Sequence, residues 1–121
     1  MPNSQKDFHK KLLGKLGEKQ AVKFLKKNKY KILETNYKRL TGEIDVIALD
    51  GDCVVFVEVK TRTSDAFGMP SEAVNLQKQV KIQKTAQYYL VENGLLDMPC
   101  RFDVIEILGK EINHINNAFY G

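Results

Sequence analysis

The polar and apolar positions of the chain fall into runs of two periods. From about residue 5 to residue 28 there is no Pro, and Leu13, Leu16, Ala21, Phe24 and Leu25 recur at helical spacing, which predicts an amphipathic helix ending near Asn28. Lys11, Lys15, Lys19 and Lys23 form the opposite stripe, and Glu18 projects at the border between the two faces. The β-prone run from Tyr30 to Lys38 predicts a strand. Glu43 to Leu49 and Cys53 to Thr61 flank the turn signal Asp50-Gly51-Asp52 and predict an antiparallel hairpin. Within it, Val54-Val55-Phe56-Val57 is apolar on both faces, as in a central strand covered on both sides.

Beyond the hairpin, Thr61 to Pro70 mixes Thr, Ser, Asp, Gly and Pro and reads as a mobile loop. A second helix is predicted from about Ser71, as N-cap, to Glu92, with Asn93-Gly94 as its stop. Its apolar stripe is Leu76, Val80, Ile82, Ala86, Tyr89 and Leu90, and the opposite face carries Gln77, Lys78, Lys81 and Lys84. Phe102 to Leu108 predicts the last long strand, and the tail from Gly109 a weak one. The order is αβββαβ. A strand, a helical crossover and another strand imply a parallel pair, hence an α/β fold with a mixed central sheet flanked by helices. No repeat, low-complexity tract or linker divides the chain, so residues 1–121 are expected to form a single domain.

Composition narrows the class. With 121 residues, 43% hydrophobic and 28% charged, the chain has the make-up of a globular protein, not of a disordered, collagenous or disulfide-framework one. No apolar run approaches a membrane span, and the N-terminus lacks the apolar segment of a signal peptide. Cys53 and Cys100 lie in apolar runs with no CxxC and no His at ligand spacing, so zinc and redox chemistry are not expected and a reduced, cytoplasmic setting is. His9 and His114 are lone and expected at the surface. Charge is uneven: residues 1–40 hold twelve Lys and Arg against three acids, whereas residues 41–121 hold seven against twelve. A polyanionic partner would suit the basic third, although lysine-rich helix faces are commonly plain solvated surface.

The chemical signal lies in the hairpin. Glu43 and Asp45 share one face of their strand, as do Glu58 and Lys60 of theirs, because side chains repeat every two residues. If the connecting loop has an even number of residues, all four fall together; an odd loop with a bulge would break the parity. Three carboxylates and one amine beside apolar side chains raise one another's pKa unless a cation is supplied. Mg²⁺ takes oxygen ligands, with one or two carboxylates and waters or phosphate oxygens completing the shell. Asp45 and Glu58 would suit it, with the Val59 carbonyl as a backbone ligand. Lys60 would then orient or help deprotonate an attacking water and offset charge on the transition state, the assembly of a phosphodiester hydrolase. The bland alternative is a set of exposed cross-strand ion pairs.

Gly42-Glu43-Ile44-Asp45-Val46-Ile47-Ala48 followed by Phe56-Val57-Glu58-Val59-Lys60-Thr61-Arg62 resembles the signature of the PD-(D/E)XK nuclease superfamily. More narrowly the chain is similar to the YraN family of small bacterial proteins, themselves similar to Holliday-junction resolvases. The likeness extends through Gly17-Glu18 and Ala21, Gly68, Lys78-Gln79 with Ala86 and Tyr89-Leu90, and Arg101-Phe102-Asp103-Val104. It implies a restriction-endonuclease-like fold and Mg²⁺- or Mn²⁺-dependent hydrolysis of DNA, at branched or distorted structures. By the same resemblance Asp45 is the motif aspartate, Glu58 and Lys60 the (D/E)XK element, Glu18 the helical glutamate over the metal, and Gln77 or Lys78 a supporting polar residue at the start of the second helix; Glu43 is expected in support of the reaction centre. Ile44 stands where the superfamily's name has Pro, which is not a ligand. Lys15, Lys19, Lys78 and Lys81 would contact phosphates, and Arg62 would clamp one or form a surface ion pair. A homodimer follows only by analogy with the two-fold symmetry of four-way junctions.

Overall fold

The structure is a computed structural model that describes residues 4–62 and 74–119. Of the expected loop from Thr61 to Pro70, residues 61 and 62 instead belong to a strand, and 63–70, with Gly68, and the expected cap Ser71 lie outside the described residues. The elements are α1 (Ser4–Lys27), β1 (Lys31–Arg39), β2 (Gly42–Asp50), β3 (Cys53–Arg62), α2 (Leu76–Glu92), β4 (Cys100–Leu108) and β5 (Glu111–Phe119). They form a mixed α/β fold of the restriction-endonuclease-like kind, with one sheet in the order β1-β2-β3-β4-β5. β3 and β4 are parallel, as the crossover through α2 requires, and the other pairs are antiparallel. The tail forms a full edge strand, β5, of nine residues.

The β2–β3 connection has the even length on which the four-residue cluster depends. Asp50 pairs with Cys53, leaving a two-residue turn of Gly51 and Asp52, and Gly51 adopts the left-handed conformation that such a turn needs (φ 62°). From there the register runs unbroken to Val46 opposite Val57.

Each sheet face carries its own apolar layer. Against α2 pack Tyr37, Ile44, Ile47, Val54, Phe56, Phe102 and Val104 with Ile82, Ala86 and Tyr89 of the helix. On the other face Val46, Val55, Val57, Ile105 and Ile107 pack against Ala21 and Leu25 of α1. Burial of each large side chain stabilises by about 1.5–3 kcal/mol. The central strand β3 is thus covered on both sides, as its apolar run predicted.

Three residues expected in the helix cores are not there. Leu16 is 47% exposed, Leu76 74% and Val80 42%. The contact line of α1 is instead Gly17, Ala21 and Leu25, because Gly17 lies so close to β3 that an added Cβ would collide with Thr61 Oγ1. α2 begins at Leu76, capped by Asn75, whose side-chain oxygen accepts from Lys78 N–H (2.9 Å). Gln77, Lys78 and Lys81 of its first turns line a polar cleft, whereas Leu76 and Val80 are exposed and Thr85 is buried.

His114 is also not the free surface histidine expected. Its Nε2 lies 2.8 Å from Oδ2 of Asp103, which is fully buried on β4. Asp103 also accepts from Arg101 Nε (3.1 Å) and Asn117 N–H (3.0 Å). Burial pushes its carboxyl up, but the hydrogen bonds from His114, Arg101 and Asn117 outweigh it and hold it below the usual carboxylate range. Arg101 reaches on to Asp50 and Tyr30, which ties the turn end of the hairpin to β4.

Candidate active site

The site forms where β2 and β3 part. Beyond Val46 opposite Val57, the amide of Val59 donates to Asp45 Oδ2 (2.8 Å) in place of a backbone carbonyl. Strict alternation of faces also fails there: Ile44 belongs to the layer under α2, and Val46 to the layer under α1. Asp45 therefore sits in the mouth of the split, reachable from both helices. Next to it on β1, Asn36 has a left-handed backbone (φ 54°), a conformation that a non-glycine residue in a strand adopts at an energetic cost. Gly42, at φ 150°, turns the start of β2 under α2, where a Cβ would lie 3.4 Å from Thr85 Oγ1.

Glu58 comes from the last buried stretch of β3 and is 6% exposed. Its Oε2 lies 3.5 Å from Lys78 Nζ, whereas its Oε1 is buried with no hydrogen-bond partner among the described residues. Burial pushes the Glu58 carboxyl well up, the charge of Asp45 pushes it further, and Lys78 pulls it back. Asp45 is raised too, first by burial, and then by Glu18 and Glu43 against the Val59 N–H and Lys78. Glu18, on α1, is raised by its partial burial, held back by a hydrogen bond with Asn36, and raised again by Glu43. All these shifts have one sense: negative charge is crowded where little solvent or positive charge relieves it.

A divalent cation fits this donor set. Among the described residues no three His, Cys, Asp or Glu side chains converge to cage a metal. Two carboxylates, one with an orphaned buried oxygen, are what a Mg²⁺ site offers when waters and phosphate oxygens fill the remaining positions. Asp45 and Glu58 would hold the ion, with the Val59 carbonyl beside them. Glu58 Oε1 would gain the partner it lacks.

The sequence-derived residues converge well. Glu18, Glu43, Asp45, Glu58, Val59, Lys60, Arg62, Gln77, Lys78 and Lys81 all line one cleft of ≈ 870 Å³ between α1, the split strands and the start of α2. Two of its cations are already engaged. Lys78 pairs with Glu58, and Arg62 donates from Nε to the fully buried Glu106 Oε2 (2.8 Å). Lys15 and Lys19 line a second cavity of ≈ 930 Å³, with Lys11, Lys23, Lys26, Thr35 and Asn36, on the β1 side of α1. Gly14, Glu18 and Glu43 line both. Asn36 and Glu106 were missed by the sequence reading: an Asn in a β-prone run and an acid in an apolar strand carry no local signal of the partner each meets.

The family model described as "Uncharacterised protein family UPF0102" matches residues 17–107, from the buried Gly17 to the end of β4. A UPF0102 protein of Alkaliphilus metalliredigens is 51% identical over 112 residues, covering 90% of this chain and 98% of that one. One from Caldanaerobacter subterraneus subsp. tengcongensis is 51% identical over 121 residues, covering 94% and 99%. One from Clostridioides difficile is 51% identical over 108 residues, covering 88% and 95%.

Proposed function

The chain belongs to the uncharacterised protein family UPF0102, and from the chemistry of its cleft we propose that it is a Mg²⁺- or Mn²⁺-dependent endonuclease that hydrolyses DNA phosphodiester bonds, with branched or distorted DNA as its substrate. The observation that carries this reading is the pair Asp45 and Glu58, two acids crowded out of water at a strand split, one with an orphaned oxygen. The PD-(D/E)XK resemblance gives the pair its chemistry. A bound metal ion would polarise the phosphate and lower the pKa of a water. Lys60, at the cleft wall two residues past Glu58, orients that water and offsets charge on the phosphate oxygens. Glu18, steadied by Asn36, and Glu43 add negative charge on the α1 side. Gln77 and Lys81 face the phosphates from α2. A homodimer would match the two-fold symmetry of a four-way junction.

The test is cleavage of labelled four-way junction, flap, single-stranded and linear duplex DNA in Mg²⁺ and in Mn²⁺. Metal-dependent cutting of the branched substrates that Asp45→Asn abolishes, with DNA binding retained, is the expected result. No cutting of any substrate would sink the reading.

One observation favours a second reading, a non-catalytic module that binds nucleic acid or protein. Lys78 already offsets Glu58 without any metal. On that reading Lys78→Ala weakens ligand binding, and Asp45→Asn changes neither metal binding nor cleavage.

A further inference from the structure

α1 has two interior glycines, and among the described residues only one of them meets a close neighbour. Gly17 lets the helix approach Thr61. Beyond its own helix backbone, no atom of the described residues lies within 4 Å of where the Cβ of Gly14 would be, and its backbone is not left-handed. A helix-interior glycine destabilises relative to alanine, so its retention here calls for another explanation. Gly14 lies where the catalytic cleft and the second cavity meet, on a rim shared with Glu18 and Glu43.

Leading away from that rim, Lys11, Lys15, Lys19 and Lys23 recur every fourth residue along α1, a step of about 6 Å, comparable to the phosphate spacing of an extended single strand. All four are exposed, and none forms an ion pair with a described residue. The groove floor offers Val22, Thr35 and Asn36. A cavity of ≈ 930 Å³ has the size of a small-ligand pocket, room for a segment of one strand.

We propose that Gly14 keeps open a passage over α1 by which a single nucleic-acid strand leaves the catalytic cleft and runs along the lysine-lined groove against β1. The identity of the strand rests on the nuclease reading. The passage assigns the substrate class more narrowly: DNA with an unpaired strand adjoining the scissile bond. The lysines hold that strand by its phosphates, without reading sequence.

The experiment uses the full chain carrying Asp45→Asn, so that no probe is cut. Fluorescence anisotropy reads its affinity for a blunt DNA hairpin and for the same hairpin with a 5′ or 3′ tail of about twelve nucleotides. The parent is expected to prefer a tailed hairpin. Gly14→Leu should weaken tailed binding by about tenfold or more and leave blunt binding almost unchanged, while melting no lower than the parent. The pair Lys19→Gln and Lys23→Gln should act in the same way and flatten the salt dependence for the tailed probe only. Equal affinity of the parent for blunt and tailed probes, or an equal loss on both probes in Gly14→Leu and in the lysine pair, overturns the passage. Tail preference with no cleavage by the wild-type chain leaves the passage standing and removes the nuclease reading; cleavage without tail preference does the reverse.

Discussion

Glu58 shows at the residue scale what the site does to its own acids. Burial, then the neighbouring Asp45, raises its carboxyl, so the folded protein keeps a proton that the unfolded chain has released. Without a cation, stability therefore falls as pH rises above the ordinary glutamate range and levels off only past the raised value. Glu58→Gln removes that penalty. In chelator, its melting at pH 8 should exceed that of the wild type by the equivalent of about 1–3 kcal/mol, and the gap should vanish near pH 4, where both forms are neutral. Scanning fluorimetry across that range checks it; a wild type that melts higher at pH 8 would mean that the carboxylate is already compensated. The residues that make this happen were partly legible. The short even turn brought the strands of Asp45 and Glu58 into the expected register, but the two-residue periodicity that was to keep Glu43 and Asp45 on one face breaks between Ile44 and Val46. Asn36 and the Lys78 contact to Glu58 were not legible, because each depends on how two distant elements meet.

At the scale of elements, the site depends on how closely α1 approaches the sheet. Gly17 against Thr61 sets that distance, and Glu18 is the next residue along the helix. Gly17→Ala gains helix propensity but must displace Thr61 Oγ1 or the helix, and overpacking of this kind costs about 1–3 kcal/mol. The expected outcome is a lower melting temperature, and reduced DNA cleavage because Glu18 shifts. Thr61→Ala in the same chain removes the clashing oxygen and should restore both. Failure of that rescue, measured as a double-mutant cycle, would show that the contact does not set the helix position. The same contact explains where the helix pattern misled. Counting apolar residues favoured Leu16, whereas the tightest packing uses a glycine and an alanine, which a hydrophobic stripe does not weight. On α2 the stripe overran the apolar layer: Leu76 and Val80 are exposed, whereas Gln77, Lys78 and Lys81 of the same turns line the cleft.

On the scale of the whole molecule, the charge asymmetry of the sequence becomes a spatial one. The basic third lies mainly along α1, facing out beside the cleft that holds Glu18, Glu43, Asp45 and Glu58, so the proposed binding and chemistry would occupy adjoining surfaces. If four lysines each neutralise one phosphate, affinity for tailed DNA should drop by about two orders of magnitude between 50 and 200 mM salt. A titration that is flat across that range would remove the lysines from the binding surface. The mixed sheet and the parallel β3–β4 pair were legible because a helix of crossover length separates two β-prone runs. The strength of β5 was not, since its residues alternate poorly; it pairs with β4 along its length, and Asn117 and His114 anchor it to the buried Asp103. That network gives Arg101 and Asp103 a place in the fold, away from the cleft.

Whether Asp45 and Glu58 hold a cation together is tested most directly by calorimetric titration of Mn²⁺ into the purified chain. One binding event per chain is predicted, lost in Asp45→Asn and in Glu58→Gln, and weakened at low pH as the two carboxyls take up protons. Binding that survives both substitutions, or no binding by the wild type with or without DNA, would contradict it.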